Sequence, residues 1–464
     1  MTRAAIALLM LATFAPLGAQ SGSDAAQREA HEILAEMIGI NTSLDRGDVT
    51  PLAEKLAARF RAAGVPEADI AVIGPEEKNR NFVVRIRGKG DDKPVLFLAH
   101  LDVVDALRED WTVDPFTLLE QDGWYYGRGT IDDKGPATTL VAGALALVRS
   151  GVQPKRDVIL ALTSGEENGD EPGVEWLLKN HRQLVEAAYV FNFDAGGPAI
   201  DHGKLAWLEL QSAEKVYWSV TLSARNAGGH SSLPRKDNAI YQMAAALRRL
   251  EAFRFPLHLT EISRAQLAAR AAFVPAREAA MIRAAIAVPM RATAVERLAA
   301  LSPAYNALVR TTCIPTMLRG GHAENALPAL AEVTVNCRFV PGESAEQTMR
   351  VLRRVVADTG IVIAEINPAK PSAASPLLPE RLALVRAASM ATWGRELPIT
   401  PVQENGATDG LFFRNAGIPV YGLYGIAMPV DENRLHGRDE RIPVKSFVEG
   451  VVFATALIRA AANE

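Results

Sequence analysis

The 464-residue chain has only two cysteines, a net charge of just −4 and no internal repeat. Two cysteines are too few for a disulfide framework. A charge so near neutrality gives no electrostatic footprint for nucleic acid or for an anionic membrane surface. Beyond the N-terminus no apolar run is long enough to span a bilayer. The remaining composition, 48% hydrophobic and 22% charged, is that of a globular protein with length for two or three domains.

The one sustained apolar run follows Met1-Thr2-Arg3 and extends from Ala4 to Leu17, with small residues up to Ala19-Gln20. One basic residue, a short apolar core and a small residue at the cut predict a signal peptide over residues 1–19. Export to the periplasm or the medium follows, with no stable membrane insertion after cleavage. Cys313 and Cys337 would then meet an oxidising compartment. They lie in strand-like runs, Arg310–Leu318 and Ala331–Val340, that can pair antiparallel. A disulfide and two buried thiols are both open readings.

Helical spacing marks Ala30–Ile38 and Pro51–Ala63. Buried strand-like runs at Asn81–Arg87, Pro94–Ala99, Asp157–Thr163 and Ala187–Phe193 then alternate with helical stretches at Gly135–Ser150 and Glu175–Leu184. This predicts an α/β sheet sandwiched by helices. The pattern changes near Lys215. Val216–Ala224 alternates like a strand exposed on one face, and with helix Asn238–Phe253, the two cysteine strands, helix Ser344–Asp358 and strand Ile361–Ile366 it forms an α+β unit. Residues 254–304, rich in Ala and Arg, add helical pieces without assignable chemistry. Pro368–Pro379 holds four prolines and reads as a linker. Helix Arg381–Thr392, strand Pro419–Leu423 and helix Val444–Ala461 return to the first style. The expectation is a catalytic domain over 20–211 and 374–464, with a lid inserted at 212–373.

Several buried strands end in a metal-ligand type. His100 and Asp102 share one face of an extended segment. Asp132 and Asp133 sit in Gly127-Arg-Gly-Thr-Ile-Asp-Asp-Lys-Gly135, Glu166 and Glu167 follow Ser164-Gly, Asp194 ends another strand, and His436 lies in the loop 433–439. Open α/β sheets place their sites at the carboxyl ends of strands. Crowded carboxylates without a cation repel one another, and a dinuclear site with ions about 3.5–4 Å apart accounts for them all. His31, His181, His202, His258 and His322 lack such company and read as ordinary core or surface histidines.

His100-Leu-Asp102, the Gly127–Gly135 motif, Ser164-Gly-Glu-Glu167 and His436 resemble, in order and over nearly the whole mature chain, the zinc hydrolases that include aminoacylase-1, carboxypeptidase G, carnosinase-like dipeptidases, acetylornithine deacetylase and succinyl-diaminopimelate desuccinylase. The resemblance implies two zinc ions per subunit, with cobalt or manganese as substitutes. It implies that Asp132 bridges them, that His100 and Asp194 complete one site, and that Glu167 and His436 complete the other. Asp102 would orient His100, and Glu166 would be the general base. The Asp132–Asp133 peptide would be cis; for Asp133 itself, a surface charge or helix cap stays open. Asn226-Ala-Gly-Gly-His230 resembles a lid histidine that, in relatives dimerising through the inserted domain, reaches the partner's active site and stabilises the oxyanion. Asn325 and Arg338 resemble substrate-holding residues. Gly406-Ala-Thr408-Asp409-Gly410 matches an element near the metal pocket, with Thr408 read as a helix cap. The stretch from Arg254 to Asn306 resembles the subgroup near yeast carboxypeptidase S and secreted N-acyl-amino-acid hydrolases.

The implied reaction is hydrolysis of an amide next to a free carboxylate, in a small peptide or an N-acyl amino acid. Asp at 194, where the family often has Glu, tilts the reading towards a carboxypeptidase or dipeptidase and away from an N-acyl-amino-acid deacylase. A catalytically silent metal-binding protein is the alternative from another class; the complete ligand set and the base argue against it.

Overall fold

The computed structural model describes residues 17–43, 45–167, 172–432 and 434–464, with side chains from residue 25 onward. The leader read at 1–19 falls on residues 1–16, outside the described residues, and on the first turn of helix Leu17–Ile38. No helix among the described residues is long and apolar enough to cross a membrane.

The described residues form a ten-stranded mixed sheet and a separate four-stranded one, with two smaller ladders. The centre of the large sheet is parallel: Val95–His100 lies between Val158–Thr163 and Tyr189–Asn192, and the latter pairs with Val420–Gly422. Every residue of the first three strands is buried. Such strands must be apolar on both faces, and alternate residues divide accordingly. Phe97, Leu160 and Phe191 join one core, with helices Thr50–Ala62, Lys134–Arg149, Pro379–Trp393 and Val444–Ala462. Leu96, Leu98, Ile159 and Val190 join another, with helices Gly173–Asn180 and Gly410–Asn415. The expected α/β sandwich is present.

The small sheet is antiparallel, ordered Thr312–Gly320, Leu330–Phe339, Val216–Arg225 and Ile361–Glu365. One face packs on helices Ala239–Ala252 and Ala345–Val356. Asn238 caps the first of these, and a Ser344–Gln347 capping box starts the second. The large sheet runs past the boundary expected at 211. Strand Lys204–Glu214 pairs with Ile399–Glu404 as far as Glu214, and only Lys215 separates it from the small sheet's Val216. Residues 254–309 form four short helices around a core of their own that includes Leu267, Ile282, Val295 and Leu298.

Cys313 and Cys337 face each other in register and are joined as a disulfide, which resolves the open choice. The bond closes a loop of 24 residues, so its loss removes about 3 kcal/mol by the chain-entropy argument. Cys313→Ser is therefore expected to lower the urea midpoint, and reductant should do the same to the native chain but not to the variant. Equal midpoints throughout would show that the bond adds nothing.

Candidate metal centre

The parallel register brings the strand ends together. His100 is the last residue of its strand and pairs with Thr163, three residues before Glu166; Leu98 pairs with Asn192, two residues before Asp194. Asp132 comes from the Gly127–Gly135 loop. That loop folds back so closely that a Cβ on Gly135 would lie 2.0 Å from the Thr130 carbonyl oxygen, so only glycine fits. His436 comes from the turn before strand Arg441–Pro443, which pairs with Trp124–Tyr126, the strand leading into the Asp132 loop. Two candidate ligands more than 300 residues apart thus leave one short ladder.

The two oxygens of Asp132 face one imidazole each. His100 Nε2 lies 2.8 Å from Oδ1, and His436 Nε2 lies 2.9 Å from Oδ2. His100 Nε2 is also 3.6 Å from Asp194, and His436 Nε2 is 3.1 Å from Glu167. Two groups of ligand atoms each fall within 4.8 Å: His100, Asp132 and Glu167, and His100, Asp133 and Asp194. Asp133 Oδ1 is buried with no hydrogen-bond partner among the described residues. Imidazole nitrogens and carboxylate oxygens in this mixture fit a borderline divalent cation such as zinc. The chemistry of the donor set and the unpartnered oxygen agree on a cation site.

The electrostatics point the same way. Burial lifts Asp194 to about 7 and also raises Glu167. Burial, together with the Asp194 charge, holds Glu166 well above the usual carboxylate range. Hydrogen bonds to Asp132 and Glu167 raise His436 to about 10. For His100 burial acts downward, but its bonds to Asp132 and Asp194 outweigh it and hold the ring well above its ordinary value. The pocket therefore carries more negative charge than it can comfortably hold.

Two expectations are corrected. Asp102 does not orient His100 through its carboxylate, which is 3.7 Å from Nδ1; the near partner is its own main-chain oxygen, at 2.9 Å. The carboxylate instead accepts the amides of Glu166 and Glu167, at 3.3 and 3.0 Å. It is drawn there because those two N–H groups sit beyond a strand end with no ladder partner. Asp133 is no surface charge. It is fully buried and precedes helix Lys134–Arg149 without a capping bond, and its Oδ2 accepts the His100 amide. The Asp132–Asp133 peptide is cis, as the motif implied. Thr408 Oγ1 accepts the Gly410 amide near the start of helix Gly410–Asn415 and also donates to Glu214.

No hydrogen bond or ion pair among the described residues links the lid residues to this cluster. His230 is exposed, and its ring nitrogen Nδ1 bonds Ser232 at 2.8 Å. Its strand, Gly229–His230, pairs with Ala326–Leu327, which places Asn325 alongside through the Ser231 amide. Arg338 stacks on Tyr217 at 4.5 Å, and its side chain donates from Nε to Asn336, with no other side-chain hydrogen bond among the described residues. Three participants had no role assigned from the sequence, although Asp409 stood in the quoted Gly406–Gly410 element. Asp409 accepts from Thr163 Oγ1 at 2.7 Å and is pushed up to about 7 by burial. Arg128 and Glu440 form a buried pair at 2.6 Å beneath the Asp132 loop. Arg128 stood inside the quoted motif; Glu440, four residues after His436, carried no pattern.

The sequence model of "Peptidase family M20/M25/M40" matches residues 96–460. The human N-fatty-acyl-amino acid synthase/hydrolase PM20D1 is 29% identical over 450 residues, covering 94% of this chain and 87% of that protein. A probable carboxypeptidase S-like 2 of Dictyostelium discoideum is 28% identical over 391 residues, covering 82% and 75%. Among solved structures, the metallo-carboxypeptidase Sso-CP2 of Sulfolobus solfataricus superposes with a TM-score of 0.71 at 17% identity, over 94% of this chain and 99% of that one.

Proposed function

The chain belongs to peptidase family M20/M25/M40 and is a metal-dependent hydrolase of amide bonds; from that premise we propose that it cleaves an amide whose amine side carries a free carboxylate, as in a dipeptide, a C-terminal peptide bond or an N-acyl amino acid. The observation that carries this reading is the placement of Asp132, one oxygen towards His100 and the other towards His436. In it, His100, Asp132 and Asp194 would hold one zinc ion, and Asp132, Glu167 and His436 would hold a second. When bound, they polarise the scissile carbonyl and acidify a water. Glu166, close to the cluster and with no side-chain hydrogen bond among the described residues, takes the proton from the attacking water and hands it to the leaving nitrogen. Asp102 fixes the main chain beneath it.

Arg338 is the proposed seat of the substrate carboxylate. Its guanidinium is braced on Tyr217 and leaves both terminal nitrogens unbonded among the described residues, the fork that a carboxylate accepts bidentately. Arg338→Ala is expected to raise KM by about 10- to 100-fold with kcat nearly kept. An unchanged KM would remove Arg338 from the site. Asn325 would help to hold the substrate. His230 would act across a homodimer formed through residues 212–373, which sedimentation velocity can test.

Two substrate classes share this chemistry. Asp194 favours peptides; the similarity to the human N-fatty-acyl-amino acid synthase/hydrolase PM20D1 favours acyl amino acids. A matched set decides: a dipeptide and an N-acyl amino acid with the same C-terminal residue, each also as its C-terminal amide. Cleavage of the amides as fast as the free acids would overturn the carboxylate requirement, and metal uptake with no cleavage at all would favour the silent protein. Export is proposed from residues 1–19, so the mature chain should begin near Gln20. N-terminal sequencing of protein from the medium or periplasm checks this, and a chain found only inside cells with Met1 intact would refute it.

A further inference from the structure

We propose that Arg128 and Glu440 are a positioning pair that sets where His436 stands relative to Asp132, and so controls the cation seat on the His436 side. The inference rests on the two-site reading above.

Glu440 is fully buried, and both of its oxygens are filled. Oε1 accepts the amides of Ile131 and Asp132 at 2.6 and 3.1 Å, while Oε2 accepts the Gly129 amide at 3.0 Å and Arg128 Nη1 at 2.6 Å. The Glu440 main-chain oxygen also accepts the Gly127 amide. The Asp132 loop is thus wrapped around one carboxylate. Arg128 holds the other loop. Its Nη2 donates to the carbonyls of Gly437, at 3.0 Å, and His436, at 3.4 Å, and its guanidinium lies 5.1 Å from the Trp111 ring centroid. The turn is further fixed by Asp439, whose Oδ1 accepts the amide and hydroxyl of Thr112. His436 and Asp439 both have left-handed backbone angles, φ 57° and 52°, so the turn needs outside partners to keep its shape.

Asp132 is therefore gripped at both ends by one short turn: Glu440 on its amide and His436 on its carboxylate. Holding the fold together would explain a buried ion pair only weakly, since desolvation offsets most of the attraction. Here the contacts go to the two ligand loops. Among the described residues none goes to His100 or Asp194, which the parallel sheet positions; Asp132 serves both seats, and His436, held through Arg128, belongs to only one. Loosening the pair should therefore harm one cation seat more than the other.

The test is cobalt titration of the full-length apo-protein, following d–d absorption and chelator competition, for the native chain, Glu440→Gln, Arg128→Lys and His436→Ala. Gln replaces an acceptor oxygen with an amide that meets N–H donors. Lys keeps the charge but cannot span Glu440 and both carbonyls. For Glu440→Gln and Arg128→Lys we expect one site to lose about 10- to 100-fold in affinity, the other to stay within about threefold, and the altered absorption band to be the one lost in His436→Ala. If Glu440→Gln does not fold, Arg128→Lys decides alone. Two native-like sites, or two sites weakened equally, would overturn the proposal. Two unaltered sites in His436→Ala would instead refute the two-site reading.

Discussion

Glu166→Gln is expected to lower kcat by about 10²- to 10⁴-fold while metal content stays that of the native protein. The side chain belongs to neither group of close ligand atoms, so its loss should not empty a site. It makes no hydrogen bond among the described residues, and its neighbour's amide is held, with its own, by the Asp102 carboxylate. Burial and the Asp194 charge raise its proton affinity above that of an ordinary carboxylate, which suits a group that must both take and return a proton. Gln keeps the volume and removes that capacity. KM should change little, because the step lost is proton transfer and not binding. Steady-state kinetics with metal analysis on the same samples checks this. Turnover within threefold of native would mean that the base is another group.

Much of this candidate site was readable in the sequence because most of its proposed ligands terminate a buried strand or sit in a glycine-bounded loop. His100, Glu166, Glu167 and Asp194 interrupt apolar runs, and such interruptions are costly without a purpose. Strand Lys204–Glu214 was harder to see. It passes into Val216–Arg225 across Lys215 alone, with no Gly or Pro to mark the change of sheet. Lys215 is itself buried, donating to the carbonyls of Ala307 and Arg310 at 2.9 Å; a lysine in sequence suggests a surface instead. The Arg128–Glu440 pair was invisible for another reason. Its members lie 312 positions apart, and Glu440 acts on backbone amides, which leave no residue pattern. Asp102 shows the converse: its identity was legible, while its partner depended on which amides lacked a ladder.

Stripping the metals should abolish turnover, and reloading them should expel about two protons per chain near pH 7, one from each ligand imidazole. His436, raised to about 10 by Asp132 and Glu167, holds its proton through neutrality in metal-depleted protein, and His100 is shifted the same way. A raised folded value adds stability that is fully present below the unfolded value of about 6.5 and is lost as pH climbs through the folded value. Imidazolium–carboxylate pairing should thus keep the stripped protein folded at neutral pH, with that support fading towards pH 10. A cation competes for the same nitrogens and oxygens, so its affinity should rise with pH over the same window and fall in acid. Asp194, lifted to about 7, adds a further fraction of a proton below neutrality. Calorimetric titration of metal into stripped protein, in two buffers of different ionisation heat, measures the release directly. Identical heats in both buffers would mean that the imidazoles were already neutral and that the charge balance drawn from Asp132, Asp194 and Glu167 is wrong. An active stripped protein would remove the cation from the reaction altogether.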